Sequence, residues 1–375
     1  MSDKQIIGLS YAAVNGILTR PCRIPGWPMQ IDNDRLEALL KREVPGLGGS
    51  LDLARVGGGQ SNPTFFASFE NRRLVIRQKP HGPVLPSAHA VDREFRVLAA
   101  LGRVGIAVPK VLHFNEAGEV MGTPFYVMER VEGRIFHDST LADVPRDERR
   151  PMYRSAAEML AAIHKVDFAA AGLADFGKHG NFFSRQISRW TRQWTLSKTR
   201  PIPAIDHLVD WLPRNLPTED QTTVVHGDFR IGNLMFHPTE PRIVAILDWE
   251  LSTLGHPLAD LAHTCIYSWH VTPNEYGGML GVNLESEGLP TLADFAEDYY
   301  RASGQRERLN IFHIVLAMFR NAVIFQGIAS RAEQGNASNA NAAEVGRLAE
   351  VFASRAVALV EQGVSDTPPT MEGSR

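Results

Sequence analysis

The segment from His226 to Asn233 constrains this chain more than any other, because it sets an acid and an amide at a fixed spacing. It reads His-Gly-Asp-Phe-Arg-Ile-Gly-Asn, and Asp248 follows fifteen residues after Asn233, at the end of the apolar run IVAIL. Phosphoryl transfer needs one carboxylate to orient the attacking hydroxyl and hard oxygen ligands to hold the metal ions that bridge the phosphates. Asp228 suits the first task, and Asn233 with Asp248 suit the second.

The same residues have a plainer interpretation as caps of turns between short strands, where Asp and Asn are common. The His-Gly-Asp motif alone does not exclude it. Asp248 at the spacing that a metal ligand requires favours the catalytic interpretation.

Apolar, β-branched and aromatic runs upstream predict three antiparallel strands: LDLARV, TFFASFE and RLVIRQ. Glycines between the first two would let backbone N–H groups approach a phosphate closely, although a plain hairpin turn remains an alternative. The expected contacts in this loop are Gly58, Gly59, Ser61 and Asn62.

The third strand and the following helix offer a cation and a carboxylate. Glu94 falls within the apolar stripe of the helix VDREFRVLAALGRVG, and a carboxylate on a buried face needs a partner. Arg77 is the expected partner, since it stays charged and can bind phosphate in a bidentate way. Lys79 has the same strand parity, but it precedes Pro80, where the strand is ending.

Two further strands, VPKVLHF and PFYVMERV, lead into the segment MERVEG. A strand that leaves a domain exposes backbone groups able to pair with an adenine edge. We assign that pairing to the carbonyl of Glu129 and the N–H of Val131; an ordinary interdomain linker is the alternative.

These elements predict an α+β fold of two lobes, in which a small five-stranded antiparallel sheet with one main helix precedes a larger, mainly helical lobe. The length of 375 residues also favours two lobes over one core. The predicted divisions are an N-terminal extension (1–30), a nucleotide-binding lobe (31–132), a catalytic and substrate lobe (133–364) and a mobile tail (365–375).

Composition excludes several other classes of protein. The formal net charge of -3 gives no reason to expect nucleic acid as a partner. Cys22 and Cys265 lack metal-ligand spacing, which suits a reducing cytoplasm. The N-terminus MSDKQIIGLS predicts no signal peptide, and polar residues interrupt the apolar stretch 311–328, so we expect a buried helix and no membrane partner. The oligomeric state stays open.

The motif from His226 to Asn233 with Asp248 resembles the aminoglycoside phosphotransferase and choline kinase superfamily, over about residues 35 to 360. Four longer sequence segments resemble the kinase-like domain fused to some acyl-CoA dehydrogenases and its free-standing bacterial relatives. They are RQKPHGPVLPSAHAVDREFRVLAAL, FSRQISRWTRQW, VVHGDFRIGNLMFHP and ILDWELSTLGHPLADLAH.

This resemblance implies a kinase-like fold that binds ATP and Mg²⁺ between its lobes, with Asp228 as the catalytic aspartate and Asn233 and Asp248 as metal ligands. Glu250 stands where protein kinases have the Gly of Asp-Phe-Gly, which puts their loop switching in doubt. His226 is expected to support the catalytic loop, and Asp260 to anchor it.

For the acceptor, the resemblance to the dehydrogenase-fused subfamily implies phosphorylation of the hydroxyl of 4-hydroxyacyl-CoA. Arg185, Arg189 and Arg192 recur at helical spacing and either bind CoA phosphates or form a solvated face. An aminoglycoside or aminoalcohol would want an acidic pocket, for which only LESEG and FAEDYY are candidates.

Two alternatives come from other classes of protein. A nucleotide-binding pseudokinase or scaffold would usually lack the catalytic Asp or a metal ligand, and all three are present. A magnesium-dependent phosphohydrolase would not require the glycine loop or the Arg77–Glu94 pair.

Overall fold

The computed structural model of the chain describes residues 31–57, 62–81, 90–218, 220–333 and 342–363. The described residues group into two compact units. The first runs up to Ile135 and includes 171–173 and 232–252, and the second holds the remainder. Residues 232–252, which the sequence analysis assigned to the helical lobe, thus group with the first unit. The predicted extension (1–30) and tail (365–375) lie outside the described residues.

A five-stranded sheet with every neighbouring pair antiparallel organises the first unit, as the sequence predicted. The strand order is β1-β2-β3-β5-β4, so β3 lies in the middle of the sheet. The strands are β1 (Asp52–Arg55), β2 (Thr64–Ser68), β3 (Arg73–Gln78), β4 (Val111–Asn115) and β5 (Phe125–Glu129).

Each face of this sheet is covered by a helix. Leu74 and Ile76 of β3 join a buried cluster with leucines of α1 (Asn33–Glu43). Because side chains alternate along a strand, Arg77 points to the other face, where α2 (Val91–Arg103) packs. Phe95 of α2 contacts Tyr126 of β5 with ring centroids 6.1 Å apart. The alternation therefore directs Arg77 toward α2.

Five shorter strands follow in the chain. In the first unit, β6 (Arg134–Ile135), β8 (Leu234–Phe236) and β9 (Ile243–Ile246) form a small antiparallel sheet. In the second unit, β7 (Thr223–Val225) pairs with β10 (Thr253–Gly255). The apolar run IVAIL noted in the sequence analysis forms β9.

Helices make up most of the second unit, and their ends carry local signals. Pro257 occupies the first turn of its helix, and Thr291 with Asp294 forms a reciprocal capping box. The helices are α3 (Arg146–His164), α4 (Phe182–Ser197), α5 (Pro203–Trp211), α6 (Pro257–Trp269), α7 (Pro273–Tyr276), α8 (Leu292–Ser303), α9 (Ile311–Glu333) and α10 (Ala342–Gln362).

Helix α9 is the one helix in the described part of the chain that is long and apolar enough to cross a membrane. Of its most apolar window, 78% is buried inside the protein. It packs against α4, α6 and α10, as the buried helix expected from the sequence does.

Candidate active site

The side chain of Arg77 connects three carboxylates in the first unit. Its Nε lies 3.1 Å from Oε2 of Glu94, and its Nη2 donates to Oδ1 of Asp248 at 2.8 Å. Glu250 lies slightly farther away, with Oε2 at 3.7 Å from Nη2. The predicted Arg77–Glu94 pair is therefore present, and Lys79 lies beyond the end of β3.

The ion pair between Arg77 and Glu94 is buried. The side chains of Arg77 and Glu94 are 7% and 1% exposed. Burial disfavours the charged guanidinium, but the carboxylates of Glu94 and Asp248 outweigh that effect and raise the pKa of Arg77 well above its usual value. A permanently charged guanidinium thus lies beside Asp248, on the face of the sheet that α2 covers.

Asn233 and Asp248 lie at the same end of the hairpin formed by β8 and β9. Asn233 directly precedes β8, and its carbonyl accepts a hydrogen bond from the Leu247 backbone N–H at 2.9 Å. Asn233 is buried, and Asp248 adopts a left-handed backbone with φ of 65°, a conformation that Asp tolerates better than most residues. The hairpin therefore brings together the two predicted metal ligands.

Asp228 belongs to the second unit, on the loop that follows β7. Both carboxylate oxygens of Asp260 on α6 anchor this loop: Oδ2 accepts from the His226 N–H at 2.5 Å and Oδ1 from the Gly227 N–H at 2.8 Å. Nδ1 of His226 accepts from the Asp228 N–H at 3.1 Å. From α9, Arg320 donates to the Gly227 carbonyl at 2.7 Å. The structure thus contains the supporting contacts expected of His226 and Asp260.

The Asp228 carboxylate itself contacts two further groups. Its Oδ1 lies 2.8 Å from Nε2 of His263, and its Oδ2 lies 3.4 Å from Nε of Arg230. Burial opposes ionisation, but Arg230 and the hydrogen bond from His263 outweigh it and hold the pKa of Asp228 well below its usual range. Asp228 is therefore a carboxylate at neutral pH.

Sequence reasoning missed His263 and Arg320. His263 comes three residues after Asp260 in LADLAH, which places both on one side of α6 and could have indicated the contact. Arg320 stands alone in the apolar run of α9 and gives no comparable signal.

The predicted nucleotide contacts are only partly described. Gly58, Gly59 and Ser61 lie outside the described residues. Asn62 is buried at 3% exposure, and no hydrogen-bond partner for its side-chain amide is present among the described residues. An unsatisfied buried amide costs about 1–3 kcal/mol, so this group fits a site for a polar ligand.

The predicted linker follows β5. Glu129 is the last residue of that strand, and its side chain accepts from Nη2 of Arg72 at 2.7 Å. Val131 packs against the apolar cluster of Met235, Ala245 and Leu247.

The three arginines of the basic helical face predicted from the sequence make different contacts. The guanidinium of Arg185 donates to the carbonyls of Lys178 and His179, at 2.9 and 3.4 Å. Arg189 lies over the Trp190 ring, and Arg192 is exposed. Arg185 thus supports a neighbouring loop, which separates its role from that of the two other arginines.

Comparison with known proteins connects this geometry to a family. Residues 52–304 match the phosphotransferase enzyme family named APH. The acyl-CoA dehydrogenase family member 10 of Mus musculus is 40% identical over 340 residues, which are 89% of this chain and 31% of that protein. The chain thus spans about a third of that relative's length.

Solved structures agree with the match. The structure of a candidate aminoglycoside phosphotransferase from Ralstonia eutropha is 40% identical, covering 90% of this chain and 100% of that one, with a TM-score of 0.82. A mutant of aminoglycoside phosphotransferase APH(4)-Ia, in ternary complex with AMP-PNP and hygromycin B, has a TM-score of 0.55 at 18% identity. It covers 88% of this chain and 98% of its own, and shows a shared fold. The chain belongs to the phosphotransferase enzyme family and has its kinase-like fold.

Proposed function

We propose that this chain transfers the γ-phosphate of ATP to a hydroxyl of a small molecule, with a hydroxyacyl-CoA or a related hydroxy acid as the acceptor. The observation that carries this proposal is the buried Arg77, which contacts both Glu94 and Asp248. A guanidinium held rigidly beside a candidate metal ligand is suited to phosphate oxygens.

Two features of the first unit support ATP as the donor. The amide of Asn62, which has no hydrogen-bond partner within the described ranges, directly follows the glycine loop in the chain, and a phosphate oxygen would supply such a partner. The apolar cluster that packs against Val131 places apolar side chains beside the linker, which suits a purine base. The APH(4)-Ia neighbour is described as a complex with AMP-PNP, an ATP analogue.

The donor set fits Mg²⁺. Asn233 and Asp248 offer an amide and a carboxylate oxygen at one end of the hairpin, and these are the hard ligands that Mg²⁺ takes. When bound there, the ion would neutralise charge on the phosphate oxygens. Arg77 adds a fixed positive charge beside the same carboxylate.

In the proposed reaction, Asp228 orients the acceptor hydroxyl and takes its proton as the oxygen bonds to the γ-phosphorus. The bond between that phosphorus and ADP breaks, and ADP leaves with the electron pair. The low pKa of Asp228 keeps it ionised, which suits an orienting carboxylate in a loose phosphoryl-transfer transition state.

A cavity in the second unit is a candidate binding site for the acceptor, and its lining indicates which kind of acceptor it would favour. It has a volume of about 370 Å³, mouth included, and lies among α4, α6 and α9. Among the described residues that line it, the polar side chains are Gln186, His313 and Arg320, none of them acidic. Aromatic and aliphatic side chains form the rest: Phe182, Phe183, Trp190, Ala259, Leu316 and Ala317.

This lining favours a neutral or anionic acceptor with an apolar part. Arg320 connects the cavity to the catalytic loop, since it also donates to the Gly227 carbonyl next to Asp228. An aminoglycoside or a choline-like aminoalcohol is a cation, which a lining with a guanidinium would repel. The relative from Mus musculus carries an acyl-CoA dehydrogenase name, in keeping with an acyl-CoA acceptor.

A screen of ADP release tests the proposal. Hydroxyacyl-CoAs, hydroxy acids, aminoglycosides and aminoalcohols are compared at fixed ATP and Mg²⁺. We expect stimulation by a hydroxylated acyl compound, and none in Asp228→Asn, which should still bind AMP-PNP. Stimulation only by cationic compounds would move the assignment to the aminoglycoside or aminoalcohol class. Release into water alone would indicate a hydrolase, and nucleotide binding without release would indicate a pseudokinase.

The cavity has its own test. Ala317→Phe fills part of it from α9, so we expect a raised KM for an apolar acceptor and an unchanged affinity for AMP-PNP. An unchanged KM would exclude the cavity from acceptor binding.

A further inference from the structure

Helix α6 contacts the catalytic loop at two levels. Asp260 fixes the backbone of the loop, and His263, one helical turn later, reaches the side chain of Asp228. Nε2 of His263 lies 2.8 Å from Oδ1 of Asp228, and the His263 side chain is only 2% exposed. One rigid element thus sets both the position of the loop and the direction of its carboxylate.

The protonation of His263 follows from its surroundings. Burial lowers the pKa of His263 against the opposing effect of Asp228, and the nearby charge of Arg320 lowers it further. Its Nδ1 is buried, with no hydrogen-bond partner among the described residues. The imidazole is therefore neutral at neutral pH and carries its proton on Nε2, the nitrogen that faces an ionised oxygen.

The two oxygens of Asp228 are consequently not equivalent. Oδ1 receives a short, buried hydrogen bond from His263, while Oδ2 has a 3.4 Å contact with Arg230, whose side chain is 20% exposed. The second contact lies near the distance limit for a hydrogen bond.

We propose, on the basis of the proposed function, that His263 is a positioning residue whose neutral Nε2–H holds Oδ1 of Asp228 and leaves Oδ2 to take the proton of the acceptor hydroxyl. The proton moves from the hydroxyl to Oδ2, and His263 keeps its own. His263 therefore acts through Asp228 and does not contact the acceptor.

This arrangement predicts an acid limb in the pH–rate profile, that is, a fall in kcat as the pH is lowered. A second proton on His263 would place a cation against Oδ1 and weaken Asp228 as a proton acceptor. The charged and titratable groups around the pair are Arg230, His226, Asp260, Tyr267, Tyr276 and Arg320. Burial and the charge of Arg320 disfavour this second proton, so the fall in rate lies on the acid side of neutrality.

The kinetic test compares His263→Phe and His263→Gln with the full-length wild type, using 4-hydroxypentanoyl-CoA as the probe acceptor. His263→Phe should lower kcat by about 100-fold, in the range of one acid–base contribution, with the KM for ATP unchanged. His263→Gln keeps an N–H near the position of Nε2, so it should recover about tenfold of that loss and lose the acid limb. His270→Gln, a buried histidine next to the end of α6, should change neither.

A second measurement does not require an active acceptor. In ¹⁵N-histidine-labelled protein, NMR should show the Nε2–H tautomer of His263 in the wild type, and Asp228→Asn should shift that proton resonance upfield. An Nδ1–H tautomer, or no shift, would overturn the proposal even if His263→Phe does not fold.

The two proposals fail separately. If no acceptor stimulates the wild type, the proposed function fails while NMR still decides the His263 contact. If the wild type is active and His263→Phe keeps more than half of kcat, the role of His263 is wrong and the proposed function stands.

Discussion

Nη2 of Arg77 donates to Oδ1 of Asp248 at 2.8 Å, so a cation on the central strand and a carboxylate after β9 are in direct contact. The same guanidinium lies 3.1 Å from Glu94 on α2. Strand β3, helix α2 and the turn after β9 thus meet at the buried guanidinium of Arg77. The stability of the first unit should therefore depend on this charge.

Replacing Arg77 with Met should lower the free energy of unfolding by about 3–5 kcal/mol, because it leaves a buried carboxylate uncompensated. Urea denaturation measures this change. Arg73→Met is a matched control on the same strand, since Arg73 pairs with Glu132 in an exposed ion pair and should contribute at most about 1 kcal/mol. Equal losses in the two variants would contradict a special role for Arg77.

Replacing Asp248 with Asn should weaken the Mg²⁺-dependent part of AMP-PNP binding by about tenfold or more, because Mg²⁺ prefers a charged oxygen ligand. Titration calorimetry with and without Mg²⁺ separates this part from binding of the nucleotide alone. Glu240→Gln, in the turn between β8 and β9, removes one charge at the other end of the same hairpin and should have no effect. If both variants behave alike, Asp248 is not a metal ligand.

Replacing Asp260 with Ala should destabilise the second unit by about 2–3 kcal/mol, because two backbone N–H groups lose a charged acceptor. Because the lost contacts hold the catalytic loop, kcat should fall while the affinity for AMP-PNP changes little. Thermal unfolding and ADP release report the two effects. Normal turnover in a folded Asp260→Ala variant would refute the anchoring role.

Stability should fall as pH drops below 6.5, partly through His270. Burial, reinforced by Arg355, lowers the pKa of His270 from its usual 6.5 to about 4. Between these values the unfolded chain binds a proton that the folded chain does not, which destabilises the fold. The full difference corresponds to about 3 kcal/mol, reached near pH 4.

His270→Gln should reduce this acid slope, as measured by urea unfolding at several pH values. His207→Gln is the control, since His207 is exposed on α5. The same slope in all three proteins would show that His270 titrates normally in the fold.

The sequence predicted those parts of the site that local patterns encode. Period-two alternation placed Arg77 on one face of β3, and helical periodicity placed Glu94 on the buried face of α2, so their contact could be foreseen. The sheet was predictable for the same reason, because its strands are longer and bounded by turn residues.

What the sequence did not predict depends on long-range pairing or on fully buried helices. Three-residue strands such as β8 and β10 have too few residues to show alternation, and the β7–β10 pair joins segments that are distant in the chain. His263 lies in α6, where twelve of thirteen residues are buried, so apolar periodicity indicates no preferred face and only the three-residue spacing from Asp260 points to the contact. Arg320 in α9 was hidden by the same uniformity.

The left-handed turn at Asp248 lies between two attachments to α2. Glu94 contacts Arg77 on one side and accepts a hydrogen bond from the Trp249 backbone on the other, so α2 and the turn are joined through both a charge and the main chain. Protein kinases are often switched off by moving the equivalent helix outward. Here such a displacement would separate the buried Arg77–Glu94 ion pair and also leave the backbone N–H of Trp249 without its acceptor. We therefore expect α2 to stay attached to this turn, so that any phosphotransferase activity follows the supply of nucleotide and acceptor rather than an outward movement of α2.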